Sequence, residues 1–271
     1  MKKLFRSLTV FVLTIVFHTN AIAAGQCSVS GEVDLWFLND ESTSVDSTEF
    51  GHSQDFIQAV SSEFNFTSSG IKGSLIAWGG SSSGGNIALV SGLTGSFQSV
   101  ADQYARGLSG TQYTWPGAAM SYVRDALSDF SGSSYNSDGG QSPRDGVASV
   151  VVLLTDADGI NGDGGGVGGI RDASTLSSSA QAIRNAGHEV VVMVIDDAAD
   201  KYNGNDSAFQ NLINGVAGGS GNVFVGSTYE DIANPSQSYI SGLTTKVCDA
   251  VSQVVTTPQL TVTKTATLND D

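Results

Sequence analysis

The sequence predicts a doubly wound α/β fold built on a central, mostly parallel sheet. Two observations carry this. Short apolar, β-branched runs alternate with longer amphipathic segments, as in successive βα units. Two of the runs, Val147–Leu154 and Val190–Ile195, are almost continuously apolar, which marks central strands covered on both faces.

Taken in order, the expected strands are Val33–Leu38, Ile71–Trp78, Asn86–Val90, Val147–Thr155, Glu189–Ile195 and Asn222–Val225. The expected helices are Ser47–Phe64, Ser96–Arg106, Pro116–Phe130, Asp172–Ala186, Asp206–Val216 and Gln237–Val255. Phe56, Ile57, Val60 and Phe64 recur at helical spacing in the first helix, and Pro116 suits the first turn of the third. The Gly- and Ser-rich stretches Gly79–Gly85, Ser131–Ser142 and Gly159–Gly169 read as loops.

The chain has 271 residues. Its start reads as a secretory signal peptide over residues 1–24: Lys2, Lys3 and Arg6 precede an apolar run from Leu8 to Phe17, and Ala21, Ala23 and Ala24 suit cleavage. The run is shorter than the ~20 residues a spanning helix needs, and no later segment is longer, so a secreted or cell-surface location without a transmembrane segment is expected. Without the signal, nine basic residues face 27 acidic ones, a net charge of −18 that excludes nucleic acid as a partner class. Cys27 and Cys248 are the two cysteines, and in an oxidising compartment they are expected to pair. Closing so long a loop removes about 5 kcal/mol of unfolded-state entropy in the simplest chain model.

The main domain is placed at residues 27–255. The stretch 256–271 changes texture to Gln259-Leu260-Thr261-Val262-Thr263-Lys264-Thr265-Ala266-Thr267-Leu268. It reads either as a disordered tail or as a linker to an opening strand similar to those of the tandem β-sandwich repeats of bacterial surface proteins.

Chemistry concentrates in three segments. Asp40-Glu41-Ser42-Thr43-Ser44 follows the first strand, so one carboxylate and two hydroxyls sit on alternate residues of a tight loop. Such a loop can turn oxygen ligands to a hard divalent cation, and in open α/β sheets sites of this kind lie beyond the carboxyl ends of the strands. Thr114-Trp115-Pro116-Gly117-Ala118-Ala119-Met120 puts a hydroxyl just before a helix, and Leu153-Leu154-Thr155-Asp156 ends a buried strand on a carboxylate.

In order and spacing these segments resemble the von Willebrand factor type A domain and its metal-ion-dependent adhesion site, over roughly Gly31 to Val255. The resemblance implies a Rossmann-like fold with helices on both faces of the sheet, and Asp40, Ser42, Ser44, Thr114 and Asp156 as the metal residues. It implies Mg²⁺, with Mn²⁺ or Ca²⁺ as substitutes, bridging to a protein or extracellular-matrix ligand through an acidic side chain. The chain departs from the usual pattern at Glu41 and Thr43, where Gly is common, and at Ala157 after Asp156. Glu41 adds a negative charge near the proposed site, strengthening the attraction for a cation and weakening that for an acidic partner.

Enzyme motifs are weak. Gly80-Ser81-Ser82-Ser83-Gly84 fits GxSxG formally but precedes a strand, whereas a nucleophile elbow needs a helix next, so a flexible hairpin connection explains it better. His52 and His188 stand in ordinary helix and turn contexts, and no HExxH, paired-cysteine metal motif or phosphate-binding GxxxxGK run occurs. The acidic stretch Asp156–Asp163 lacks the third ligand and closing Glu of an EF-hand, so it reads as a loop. A binding module is therefore expected, with a structural role in a larger surface assembly as the alternative and an enzyme third.

Overall fold

The computed structural model describes residues 31–108, 113–160, 168–204, 206–235 and 237–256, the last six of these by backbone alone. The expected signal peptide, Cys27 and the 257–271 stretch lie outside the described residues.

Strands β1 (Val33–Asp40), β2 (Ile71–Ser81), β3 (Gly84–Thr94), β4 (Ala148–Thr155), β5 (Glu189–Ile195) and β6 (Val223–Gly226) form one sheet in the order β3-β2-β1-β4-β5-β6. Every neighbouring pair is parallel except β2–β3. Helices α1 (Ser47–Ser62), α2 (Phe97–Gln103), α3 (Pro116–Ser128), α4 (Ser134–Ser137), α5 (Ala173–Asn185), α6 (Asp197–Asn203), α7 (Ser207–Ala217), α8 (Tyr229–Ala233) and α9 (Ser238–Thr256), with single 3-10 turns at Phe130–Gly132 and Ser220–Asn222, complete the described elements.

The pleat of the sheet explains both apolar layers, because successive side chains of a strand point to opposite faces. Val33, Leu35 and Phe37 join Val150, Val152 and Leu154 beneath α1, α2, α8 and α9. Trp36, Leu38, Val151 and Leu153 turn the other way, to α3, α5 and α7. The doubly wound arrangement follows, with β1 and β4 at its centre.

The structure corrects several expected boundaries. Gly79–Gly85 is a strand hairpin: Gly79 faces Asn86, Gly80 faces Gly85 and Ser81 faces Gly84, leaving a two-residue turn at Ser82-Ser83. Backbone pairing satisfies these residues, and the missing side chains make room for Trp115. A Cβ on Gly80 would collide with the Trp115 indole, and one on Gly85 would lie 2.5 Å from the Ala118 Cβ. The GxSxG match is thus a hairpin tip. The expected loop Ser131–Ser142 contains the single turn α4, capped by the Ser133 hydroxyl accepting from Asn136 N at 3.1 Å, and its Tyr135 is fully buried. Helix α2 ends at Gln103, short of the expected Arg106, and the short helices α6 and α8 carried no sequence expectation.

Candidate metal centre

Asp40 is the last residue of β1, delivered to the carboxyl edge by a strand buried along its whole length. The loop turns at once, and the Asp40 Oδ1 accepts the Ser42 amide at 2.8 Å. This Asx-type turn brings both serine hydroxyls to the same side. The Ser42 and Ser44 hydroxyl oxygens lie 2.9 Å apart, and Ser44 Oγ donates to Asp156 Oδ1 at 3.0 Å. Asp156 follows β4, the strand beside β1, so neighbouring strands present their carboxylates at one edge. Asp40, Ser42 and Asp156 are buried, whereas Ser44 is exposed.

Thr114 comes from the far side of β2. Tyr113 N donates to Gly80 O at 3.2 Å and Trp115 Nε1 to Ser81 O at 3.1 Å, so the residues on either side of Thr114 are tied to the tip of the β2–β3 hairpin. Thr114 itself is buried, and its carbonyl accepts Arg171 N at 3.1 Å. The hydrogen-bonded chain thus joins Asp40, Ser42, Ser44 and Asp156 directly, and Thr114 stands at the same edge on its own support.

Asp172 was unflagged by the sequence reading as a site residue, yet its carboxylate accepts the amides of Gly117 at 3.0 Å and Ala118 at 2.7 Å. It caps the start of α3 from another segment and so fixes the helix that follows Thr114. Gly117 is required by this approach, since a Cβ there would lie 2.6 Å from Leu176 N and 2.7 Å from the Asp172 carboxyl. No local pattern shows a cap donated from 55 residues away.

Glu41 points elsewhere than its charge alone suggests. It is buried, accepting from the Tyr104 hydroxyl at 2.6 Å and from the amides of Gly107 at 3.0 Å and Leu108 at 2.7 Å. Asn39 Nδ2 donates to the same Tyr104 oxygen at 3.0 Å. Arg106 Nη2 then donates to the carbonyls of Ser42 at 3.1 Å and Val45 at 2.5 Å. The carboxylate clamps the 104–108 segment under the Asp40–Ser44 loop.

Burial dominates the electrostatics of the centre. Burial pushes the Asp40 carboxyl well above the ordinary range, and the adjacent Asp156 charge adds to this. Burial likewise raises Asp156 to about 6, against the lowering effect of the Ser44 hydrogen bond. Asp40 Oδ2 is buried with no hydrogen-bond partner. Tyr229, on α8, also buries a hydroxyl without a partner, and its phenol is raised by burial and then by the charges of Asp156 and Asp40. The two carboxylates, one of them with an orphaned oxygen, and the Ser42 and Ser44 hydroxyls form an all-oxygen donor set suited to a hard divalent cation, to which Thr114 would add a third hydroxyl. Asp158 N donates to Gly168 O at 3.2 Å, closing the base of the acidic loop, whose residues 161–167 lie outside the described ones.

Comparison with known proteins agrees with this architecture. No curated protein sequence matches the chain. Among solved structures, the chain is similar to proximal thread matrix protein 1 from the mussel byssus with a zinc-occupied adhesion motif, at 18% identity and a TM-score of 0.54, covering 80% of this chain and 46% of that one. It is also similar to the SpaC pilus adhesin of Lactobacillus rhamnosus GG, at 12% identity and TM-score 0.52, covering 84% and 32% of the two chains. The manganese-loaded TRAP protein of Plasmodium vivax gives 15% identity and TM-score 0.50, covering 78% and 74%. The chain spans less than half of the mussel and pilus proteins, and at these identities the likeness is one of fold. The sequence profile of the von Willebrand factor type A domain matches residues 34–237, so the chain belongs to the von Willebrand factor type A domain family.

Proposed function

We propose that this chain is an exported, non-enzymatic adhesion module that holds a divalent cation at Asp40, Ser42, Ser44, Thr114 and Asp156 and uses it to capture a protein or matrix ligand. One observation supports the reading above the others: a buried carboxylate oxygen on Asp40, without a hydrogen-bond donor, lies beside a second buried carboxylate. Unpaired buried charge is costly, and a cation relieves both the burial and the mutual repulsion. Mg²⁺ is the proposed ion, with Mn²⁺ or Ca²⁺ as substitutes. When bound, it supplies a positive centre that two carboxylates only partly neutralise, leaving attraction for a partner's acidic side chain. The chain's own residues orient the site: Asp40 sets the loop turn, Ser44 steers Asp156, and Asp172 and Trp115 fix the segment that carries Thr114.

Secretion through residues 1–24 and a Cys27–Cys248 bridge belong to the same reading. Cys248 lies on α9, and mass spectrometry of the mature protein with and without reduction tests the bridge.

Calorimetric titration with Mg²⁺, Mn²⁺, Ca²⁺ and Zn²⁺, beside the Asp40→Asn variant, tests the centre. Saturable binding abolished in the variant is expected. Absence of binding at millimolar ion overturns the proposal. If the ion binds and raises the melting temperature, but ligand capture from matrix extracts is the same in metal and in chelator, the chain is a structural module instead.

A further inference from the structure

Among the described residues, Arg171 is a cation with no acidic counterpart in an acidic protein. The chain carries a net charge of −15, and its other well-placed arginines are engaged: Arg124 with Asp125 at 2.7 Å, Arg144 with Asp34 at 2.7 Å, and Arg106 on two loop carbonyls. Among the described residues Arg171 forms no ion pair, and its Nε is buried without a hydrogen-bond partner. It is held in place all the same. Its amide donates to Thr114 O at 3.1 Å, and its guanidinium carbon lies 3.7 Å from the centroid of the Tyr113 ring.

Both supports belong to the candidate centre. Tyr113 and Thr114 are consecutive, the first pinned to Gly80 O and the second a proposed metal residue. Asp172, next to Arg171, caps α3. The cation therefore stands on the segment that presents Thr114. A guanidinium stacked on an aromatic ring keeps its N–H donors in the plane of the fork, the geometry that meets a carboxylate edge-on. An acidic partner meets long-range repulsion from this chain, so a local pair of positive centres, ion and guanidinium, would concentrate attraction at one place.

We infer that Arg171 is a specificity-determining anion anchor, and that the site is built for a protein surface presenting two carboxylates, one directed to the ion and one to the Arg171 guanidinium. The inference rests on the metal-bridging reading above. It places the discrimination between one acid and two at a residue outside the metal set.

The test uses the Mg²⁺-loaded mature protein and blocked peptides: Gly-Glu-Gly with one carboxylate, and Glu-Glu, Glu-Gly-Glu and Glu-Gly-Gly-Glu with two. At least one two-acid peptide should bind about tenfold more tightly than the one-acid peptide. Arg171→Gln should erase that difference while keeping Mg²⁺ affinity, melting temperature and one-acid affinity at wild-type values, and Arg171→Lys should keep part of it. The inference is overturned if Arg171→Gln preserves the difference. It is equally overturned if both variants lose Mg²⁺ affinity or melting temperature, which makes Arg171 a buttress of Thr114. If wild-type protein binds Mg²⁺ but no peptide, the carboxylate bridge itself is wrong and this inference falls with it. If only the Arg171 comparison fails, the bridge stands.

Discussion

Strand β1 carries a buried aspartate near each end, and the two are treated in opposite ways. Asp34, near the start, meets Arg144: Nε donates to Oδ1 at 2.8 Å, the Arg144 amide donates to Oδ2 at 3.0 Å, and Nη2 lies 2.7 Å from Oδ1. Asp40, at the finish, has one oxygen on the Ser42 amide, the other on nothing, and a second carboxylate as neighbour. Both point to the same side of the sheet, since they are six residues apart on a strand of period two. Strand and burial are shared, so partnership alone distinguishes them. An aspartate with its counter-charge built into the fold contributes to architecture. On the proposed reading, one without it is neutralised by a bound cation.

The largest effect expected is at the satisfied end. Asp34→Ala leaves the Arg144 guanidinium, whose side chain is only 15% exposed, with Glu32 at 3.7 Å and the Val33 carbonyl at 2.8 Å, and should cost about 3 kcal/mol in denaturant unfolding with metal-dependent behaviour otherwise intact. Asp40→Asn should do the reverse: metal binding lost, and stability of the ion-free protein equal to or above wild type, because a repelled buried charge is gone. Comparable destabilisation by the two substitutions would break the contrast.

Proton linkage sharpens it. Asp156 has a folded-state value of about 6 against an ordinary 3.8, so it favours the folded state below about 3.8, and that contribution is lost as pH rises through about 6. Without metal, wild type should therefore lose stability relative to Asp156→Asn between pH 4 and pH 7, with Mg²⁺ reversing the trend; differential scanning across that range reads both. The smallest change expected is at the support. Asp172→Ala removes the cap of α3 and should cost about 1 kcal/mol, with a severalfold weaker Mg²⁺ affinity through a loosened Thr114.

The central strands and the segments that meet at their carboxyl edge were legible because each is local. A continuous apolar run that stops on Asp156, or on Asp40 with alternating serines behind it, states its burial and the place of its carboxylate. The supports were not legible, since each is a contact between distant segments. Glu41 read as an extra charge near the ion and proved to clamp Gly107 and Leu108. Asp172 read as the start of a helix and proved to hold another one. Gly79–Gly85 read as a loop because glycine and serine favour loops, yet pairing across the hairpin and the indole lying on it outweigh that propensity. Short helices such as α6 and α8 hold too few residues to show a period.

The position of Trp115 has a use in spectroscopy. Trp36 and Trp78 are fully enclosed in the core, but Trp78 pairs with Asp40 in the sheet and accepts the Glu41 amide on its carbonyl at 2.8 Å. Trp115 is partly buried, adjoins Thr114, and bonds Ser81 through its indole nitrogen, so it reports from the rim. If the centre takes its ion, the intrinsic fluorescence of the unmodified chain should change on titration, and a Trp115→Phe variant separates the rim signal from that of Trp78 beside Asp40.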